Sequence, residues 1–319
     1  MITSTIFTAT TRAGIPADPR LLVVAGACAI SISSVLIKIA DVAPSTAVFF
    51  RCFLAVPVLT VMAWREYRRA GRPGRRAVFL QLFGGVLLGI DFALWSQSIL
   101  MVGAGIASVI VNVQVIVVPL LSWLVFGHRV HRRFLLALPF LFAGIALAGG
   151  VIGGGAGGSD LLWGTVLGLI SGIAYGGYIF VVGRAGSSDR AASQVLISTV
   201  TAGVAGTAVG SLWGTVDFAP GWETLLWLVA LALIGQVLGW TLMGYSLPRL
   251  PAEVGASLLL MQPVLAVALA VVLLGEKPGV FQLLGCAVVV AAVSAVSVRR
   301  TRGGVSAPAS RRASTSLIE

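Results

Sequence analysis

The chain reads as an all-α integral membrane protein of about ten transmembrane helices in two inverted five-helix repeats, and three observations predict it. The first is composition: 58% of the 319 residues are hydrophobic and 10% charged, with a mean hydropathy of +1.01. That leaves too little polar surface to coat a water-soluble globule. The second is length: windows of about 20 apolar residues, enough to cross roughly 30 Å of hydrocarbon, recur from Leu21 almost to Val298. The third is an echo: Gln114-Val115-Ile116 through Gly127-His128-Arg129 is answered 148 residues later by Gln262-Pro263-Val264 through Gly275-Glu276-Lys277.

Unpaired amides in lipid cost several kcal/mol each, so only helices or closed barrels cross it. Barrel strands would be short and alternating; these runs are long, non-alternating and rich in Leu, Ala and Val, which selects helices. Cores are expected at 21–40, 45–64, 77–100, 104–126, 134–152, 161–183, 192–213, 223–246, 252–274 and 279–298. Residues 1–20 lack an apolar signal-peptide core and are expected to stay as a cytoplasmic tail. A first repeat, 21–152, is followed by a glycine-rich linker at 153–160, a second repeat at 161–298 and a basic tail at 299–319. Gly153, Gly155 and Gly158 have a GxGxxG spacing but join helix to helix, not strand to helix, so they read as linker. No GxxxxGK[ST] loop is present, so ATP hydrolysis is not expected. Gly85 with Gly89, Gly168 with Gly172 and Gly176, Gly206 with Gly210, and Gly235 with Gly239 are pairs of the kind that let helices approach closely.

Basic residues in short loops are retained on the cytoplasmic side during insertion. Nineteen of the 22 Lys and Arg fall on one side: Arg12, Arg20, six between Arg65 and Arg76, Arg129, Arg132, Arg133, Arg184, Arg190, Arg249 and five from Arg299 to Arg312. Lys277 is alone on the other, beside Asp41, Asp160, Asp217, Glu223 and Glu276. Both termini are therefore expected in the cytoplasm of a cell whose plasma membrane the chain crosses. The same bias accounts for the net charge of +11 without nucleic acid. Cys28, Cys52 and Cys286 lie in apolar helices as packing residues, and no metal, disulfide or cofactor is expected.

Gln114 falls on the fourth helix and Gln262 on the ninth, so the repeat holds five helices. An odd number makes the second copy enter from the opposite face. Inverted repeats of this kind place a small-molecule site between the halves near mid-membrane.

Ala256-Ser257-Leu258-Leu259-Leu260-Met261-Gln262-Pro263-Val264-Leu265-Ala266, then Leu274-Gly275-Glu276-Lys277 and Gln282-Leu283-Leu284-Gly285, resembles the EamA repeat of the drug/metabolite transporter superfamily. Gln236 to Trp240 and Leu250-Pro251 extend the resemblance. Lys38, Arg51-Cys52-Phe53 and Asp91-Phe92-Ala93-Leu94-Trp95 fit it in the first half, where Val115 and His128 stand in place of Pro263 and Glu276. The resemblance implies a ten-helix membrane carrier over residues 21–298, for amino acids, other metabolites or toxic compounds.

A charge near the bilayer centre costs about 2.5–3.5 kcal/mol unless it finds a partner or water. Lys38, Arg51 and Asp91 lie roughly 4, 10 and 14 Å below the outer boundary, counted along their helices. They could form one polar cluster; alternatively Lys38 snorkels toward Asp41 while Arg51 and Asp91 form a buried strut. Asp91 and Trp95 are four residues apart, as are Gln236 and Trp240, so each pair shares a helical face. A cationic head would suit Asp91, and a neutral or carboxylate group could take hydrogen bonds from Gln236. Asn112, Gln114, Tyr175, Tyr178, Tyr245 and Gln262 complete the candidate substrate-binding set. Gln114 and Gln262 could instead satisfy backbone groups freed by Pro119 and Pro263.

The expected function is alternating-access secondary transport of a small metabolite or xenobiotic, with efflux of amino-acid-like or amphipathic compounds favoured and Asp91 the proton-coupling candidate. Uncoupled facilitated exchange is the alternative. An enzyme would need a nucleophile and base, or a metal-holding carboxylate cluster; a channel or scramblase would need a continuous polar stripe. The sequence offers neither.

Overall fold

The computed structural model describes residues 18–127, 132–150, 158–185, 190–250 and 252–297. The tail at 1–17, most of the linker at 153–160, the tail from 298 onward, and His128, Arg129 and His131 lie outside the described residues. The described elements are α1 (Pro19–Ala40), α2 (Pro44–Ala70), α3 (Arg75–Val102), α4 (Ala104–Phe126), α5 (Arg132–Ala148), α6 (Gly158–Val182), α7 (Ala191–Gly210), α8 (Trp222–Arg249), α9 (Ala252–Leu259 and Met261–Leu274) and α10 (Val280–Ser297). Among the described residues there is no strand. Seven of these helices are long and apolar enough to cross a membrane, and α5, α9 and α10 contribute shorter apolar segments. Large apolar side chains cover the outside: Leu124 is 71% exposed, and Leu136, Phe140, Trp163 and Val272 are similarly bare. Such a coat is tolerable only where hydrocarbon replaces water.

Four helices depart from regular α geometry. In α2 the helix turns at Leu54 and Ala55 and restarts at Val56, because Pro57 has no N–H for the carbonyl four residues earlier. Pro263 likewise follows the interruption of α9 at Leu260. In α4 a 3₁₀ turn spans Val111–Val113, upstream of Pro119. There the Asn112 side-chain amide donates to the Ser108 carbonyl at 2.8 Å, competing with the backbone for the same acceptor. In α8, Leu231–Gly239 is π-helical, a form frequent at functional sites.

Glycine decides the closest crossings. A β-carbon on Gly89 would lie 2.6 Å from the Ala202 carbonyl oxygen, and one on Gly206 would lie 2.6 Å from the Gly89 carbonyl oxygen. The backbones of α3 and α7 therefore touch. Gly172 and Gly176 bring α6 against α4, and Gly235 and Gly239 bring α8 against α1. A further pair, Gly144 and Gly285, seats α5 on α10.

Helix partnerships have an exchange pattern. α3 packs on α6 as α8 packs on α1; α4 packs on α6 as α9 packs on α1; and α2–α7, α4–α9 and α5–α10 each pair a helix with its counterpart five helices on. The two larger of three buried apolar clusters among the described residues hold Trp95, Ile99 and Ile110 in one and Phe92, Tyr178 and Trp240 in the other.

Candidate functional site

A cavity opens between the two clusters. It is lined from α1 by Ile30 and Ser31, from α2 by Arg51, and from α3 by Asp91, Phe92 and Trp95. The fourth helix adds Ser108, Val111, Asn112 and Gln114; the second half adds Tyr175 from α6, Trp240 from α8, and Gln262 and Ala266 from α9. The irregular segments of α4 and α9 both end beside cavity residues, Gln114 and Gln262. Interrupted helices free backbone polar groups only where they are buried in protein or line a cavity; here the Gln262 carbonyl accepts from Ser31 Oγ at 3.0 Å.

The two mid-membrane charges have separate partners. Asp91, 5% exposed, accepts from Ser171 Oγ at 2.5 Å. Arg51, 2% exposed, donates from Nε to Gln236 Oε1 at 2.9 Å. Its guanidinium carbon lies 3.8 Å from the Phe92 ring centroid and 5.8 Å from that of Trp95, cation–π geometry that stabilises a desolvated charge. Tyr175, Tyr178 and Phe92 surround Trp240 with ring centroids 5.7, 5.5 and 6.0 Å away, all near edge-to-face. The result is a rigid aromatic wall. Arg51 Nη1, Trp95 Nε1, Trp240 Nε1 and Gln114 Oε1 are buried without a hydrogen-bond partner among the described residues.

Eight of the twelve sequence-nominated positions line the cavity: Arg51, Asp91, Trp95, Asn112, Gln114, Tyr175, Trp240 and Gln262. Gln236 and Tyr178 sit one layer behind, on Arg51 and Trp240. Lys38 does not join the charged cluster. Its Nζ donates to the Leu100 carbonyl at 3.1 Å near the end of α3, so it satisfies a helix C-terminus and not Asp91 or Asp41. Tyr245 is 42% exposed and carries Arg249 over its ring. Five residues beyond Trp240, it points away from the cavity, as about 100° per residue requires. Sequence reasoning missed Ser31, Ser171 and Thr199, hydroxyls in apolar helices whose partners lie on other helices, and Ser108, which lines the cavity and bonds back to Ala104 within its own helix.

Both ends of the bundle carry a carboxylate clasp. Glu276, directly after the left-handed cap Gly275, accepts from the Ala104 and Gly105 amides at 2.8 and 3.4 Å, joining the end of α9 to the start of α4. Gly103, with φ of 93°, brings the chain close enough for this. At the other end Glu66 accepts from the Ala192 and Ser193 amides at 2.9 and 2.8 Å, joining α2 to α7. Each anion meets the positive end of a helix dipole.

Residues 20–150 and 162–298 each match the EamA-like transporter family. The chain belongs to the EamA-like transporter family. It is accordingly a multi-pass membrane transporter of the drug/metabolite superfamily, whose surroundings are the bilayer and a small-molecule substrate. One solved crystal structure is similar at 15% identity, covering 87% of this EamA chain and 94% of that one with a TM-score of 0.55, a likeness of fold. No curated protein matches.

Proposed function

We propose that this EamA protein is a plasma-membrane secondary transporter working by alternating access, exporting small amino-acid-like or amphipathic compounds in exchange for protons carried by Asp91. It performs no covalent chemistry. The observation that carries the proposal is the cavity: a buried acid, a buried guanidinium and aromatic walls meet at a place both repeats line. A cation-only drug would meet Arg51; an anion would meet Asp91. A molecule carrying both kinds of group suits both. Boundaries at 21–152 and 161–298 make the repeats inverted, and the exchange pattern of helix contacts supports this. The bias of basic residues supports cytoplasmic termini.

The test is initial flux into proteoliposomes over a library of amino acids, amines and hydrophobic drugs, with and without a pH gradient. Saturable, selective flux that the gradient accelerates is expected; flux indifferent to the gradient identifies uncoupled exchange. Non-saturating flux at channel rates would sink the carrier.

In this topology Glu276 closes the outer face. Glu276→Ala removes the acceptor that holds Ala104 and Gly105, and should favour the outward-open state. In a background without Cys28, Cys52 and Cys286, external labelling of Ser108→Cys is expected to rise several-fold. Unchanged labelling would show that the clasp does not bear on opening.

A further inference from the structure

Behind Arg51 stands a two-step support from the second half of the chain. Gln236, 1% exposed in the π-helical stretch of α8, accepts the Arg51 Nε–H at 2.9 Å, and its Nε2 donates to Thr199 Oγ1 of α7 at 2.7 Å. Arginine offers only donors, so the amide oxygen of Gln236 must face it and the amide nitrogen must face Thr199. Thr199, itself buried, accepts from that nitrogen and anchors the amide, whose orientation the donor-only Arg51 dictates. With Nε tied to Gln236 and the guanidinium plane against Phe92, the fork is fixed in two directions. Its remaining edge includes Nη1, which has no partner among the described residues.

That edge has company. Trp95 Nε1 and Trp240 Nε1, on two other cavity-lining residues, are also buried donors without partners among the described residues. A buried donor left unmade costs about 1–3 kcal/mol, and three on residues that line one cavity call for an acceptor. A guanidinium held by its Nε still offers a fork that matches carboxylate oxygens in plane and spacing.

We propose that Gln236, locked by Thr199, is a positioning residue that aims the Arg51 guanidinium at a carboxylate of the transported molecule. The proposal rests on the cavity being the transport site. It assigns the two halves of the protein different tasks: the first supplies the charge, and the second sets its direction. An Arg51 without this support would retain its charge but lose the fixed geometry on which bidentate recognition depends.

Full-length protein in proteoliposomes separates positioning from packing with two probes that differ only by a carboxylate, L-phenylalanine and phenethylamine. Gln236→Leu is expected to raise the phenylalanine KM about tenfold, or about 1.4 kcal/mol, with kcat and the phenethylamine KM little changed. Gln236→Glu keeps an acceptor for Arg51 but sets a competing carboxylate against it, so the phenylalanine KM should stay raised while the phenethylamine KM does not rise. Thr199→Val, which leaves Gln236 in place, should give a smaller rise confined to phenylalanine, and Thr199→Ser should match wild type. An equal rise for both probes would mean packing alone. No change in Gln236→Leu, a wild type that takes phenethylamine as readily as phenylalanine, or one that moves neither probe would each overturn the proposal. Failure of the cavity itself looks different: Phe92→Ala and Trp95→Ala would leave the phenylalanine KM untouched.

Discussion

Gly206→Leu is expected to prevent α3 and α7 from packing and to leave little monodisperse protein. The smallest addition, a β-carbon, would stand 2.6 Å from the Gly89 carbonyl oxygen and 2.8 Å from Val48 Cγ1. The first obstacle is backbone, which cannot rotate aside, so the helices must separate by most of an ångström. Gly89 is equally close in the other direction, against the Ala202 oxygen and the Gly206 nitrogen, so no sliding motion relieves the clash. Overpacking costs about 1–3 kcal/mol, and a conflict between two backbones belongs at the top of that range or beyond it. Separation would also displace α2, which rests on α7 through Cys52 and Phe53 against Gly203, and with it Arg51. Thermal unfolding followed by size-exclusion chromatography measures the effect. Gly74→Ala is the control, because a β-carbon there meets nothing within 4 Å. A Gly206→Leu protein that unfolds at the wild-type temperature would show that the crossing tolerates separation.

Helix number and spacing were legible because each span must hide its own backbone, and long apolar runs are what that requires. The close crossings were legible for a similar reason: a glycine four residues from another in an apolar helix has few uses besides proximity. Gly144 and Gly285 escaped because each stands alone in its own helix; their pairing exists only across α5 and α10. Depth was readable and direction was not. Counting residues put Lys38 near Arg51 and Asp91 in height, but its side chain leaves α1 toward the Leu100 carbonyl. Tyr245 could have been set aside by rotation from Trp240 alone. The π-helical stretch around Gln236 had no sequence signal, since neither proline nor an unusual residue marks it.

The 148-residue echo acquires a structural meaning at its two ends. Gln114 and Gln262 follow the interruptions of α4 and α9 at the cavity, while Glu276 reaches from the end of the second copy to the start of α4. Its counterpart His128 lies outside the described residues. The charges, by contrast, break the symmetry. Arg51 and Asp91 both come from the first copy, yet their hydrogen-bond partners, Gln236 and Ser171, both come from the second. A carrier that rocks one half against the other would therefore have to carry its charged groups on one half and their supports on the other, which ties the state of the site to the relative position of the halves.

Asp91→Asn tests that tie with the second large expected effect: loss of gradient-driven transport with retention of exchange. Asparagine has nearly the same shape, and its oxygen can still accept from Ser171, so the hydrogen bond at 2.5 Å has a substitute and the helix contact survives. What disappears is the capacity to take up and release a proton. Arg51 and Tyr175 share the cavity lining with Asp91 from α2 and α6, and the substitution leaves both in place. A carrier whose proton rides on Asp91 would then lose at least tenfold in accumulation under an imposed pH gradient. Counterflow of labelled against unlabelled substrate needs no net proton movement and should stay within a few-fold of wild type. Loss of both activities in well-folded protein would show that the Asp91 charge, and not only its proton, is needed to hold the substrate. Full gradient-driven accumulation by the variant would remove Asp91 from the coupling mechanism and leave exchange without protons as the mode of transport.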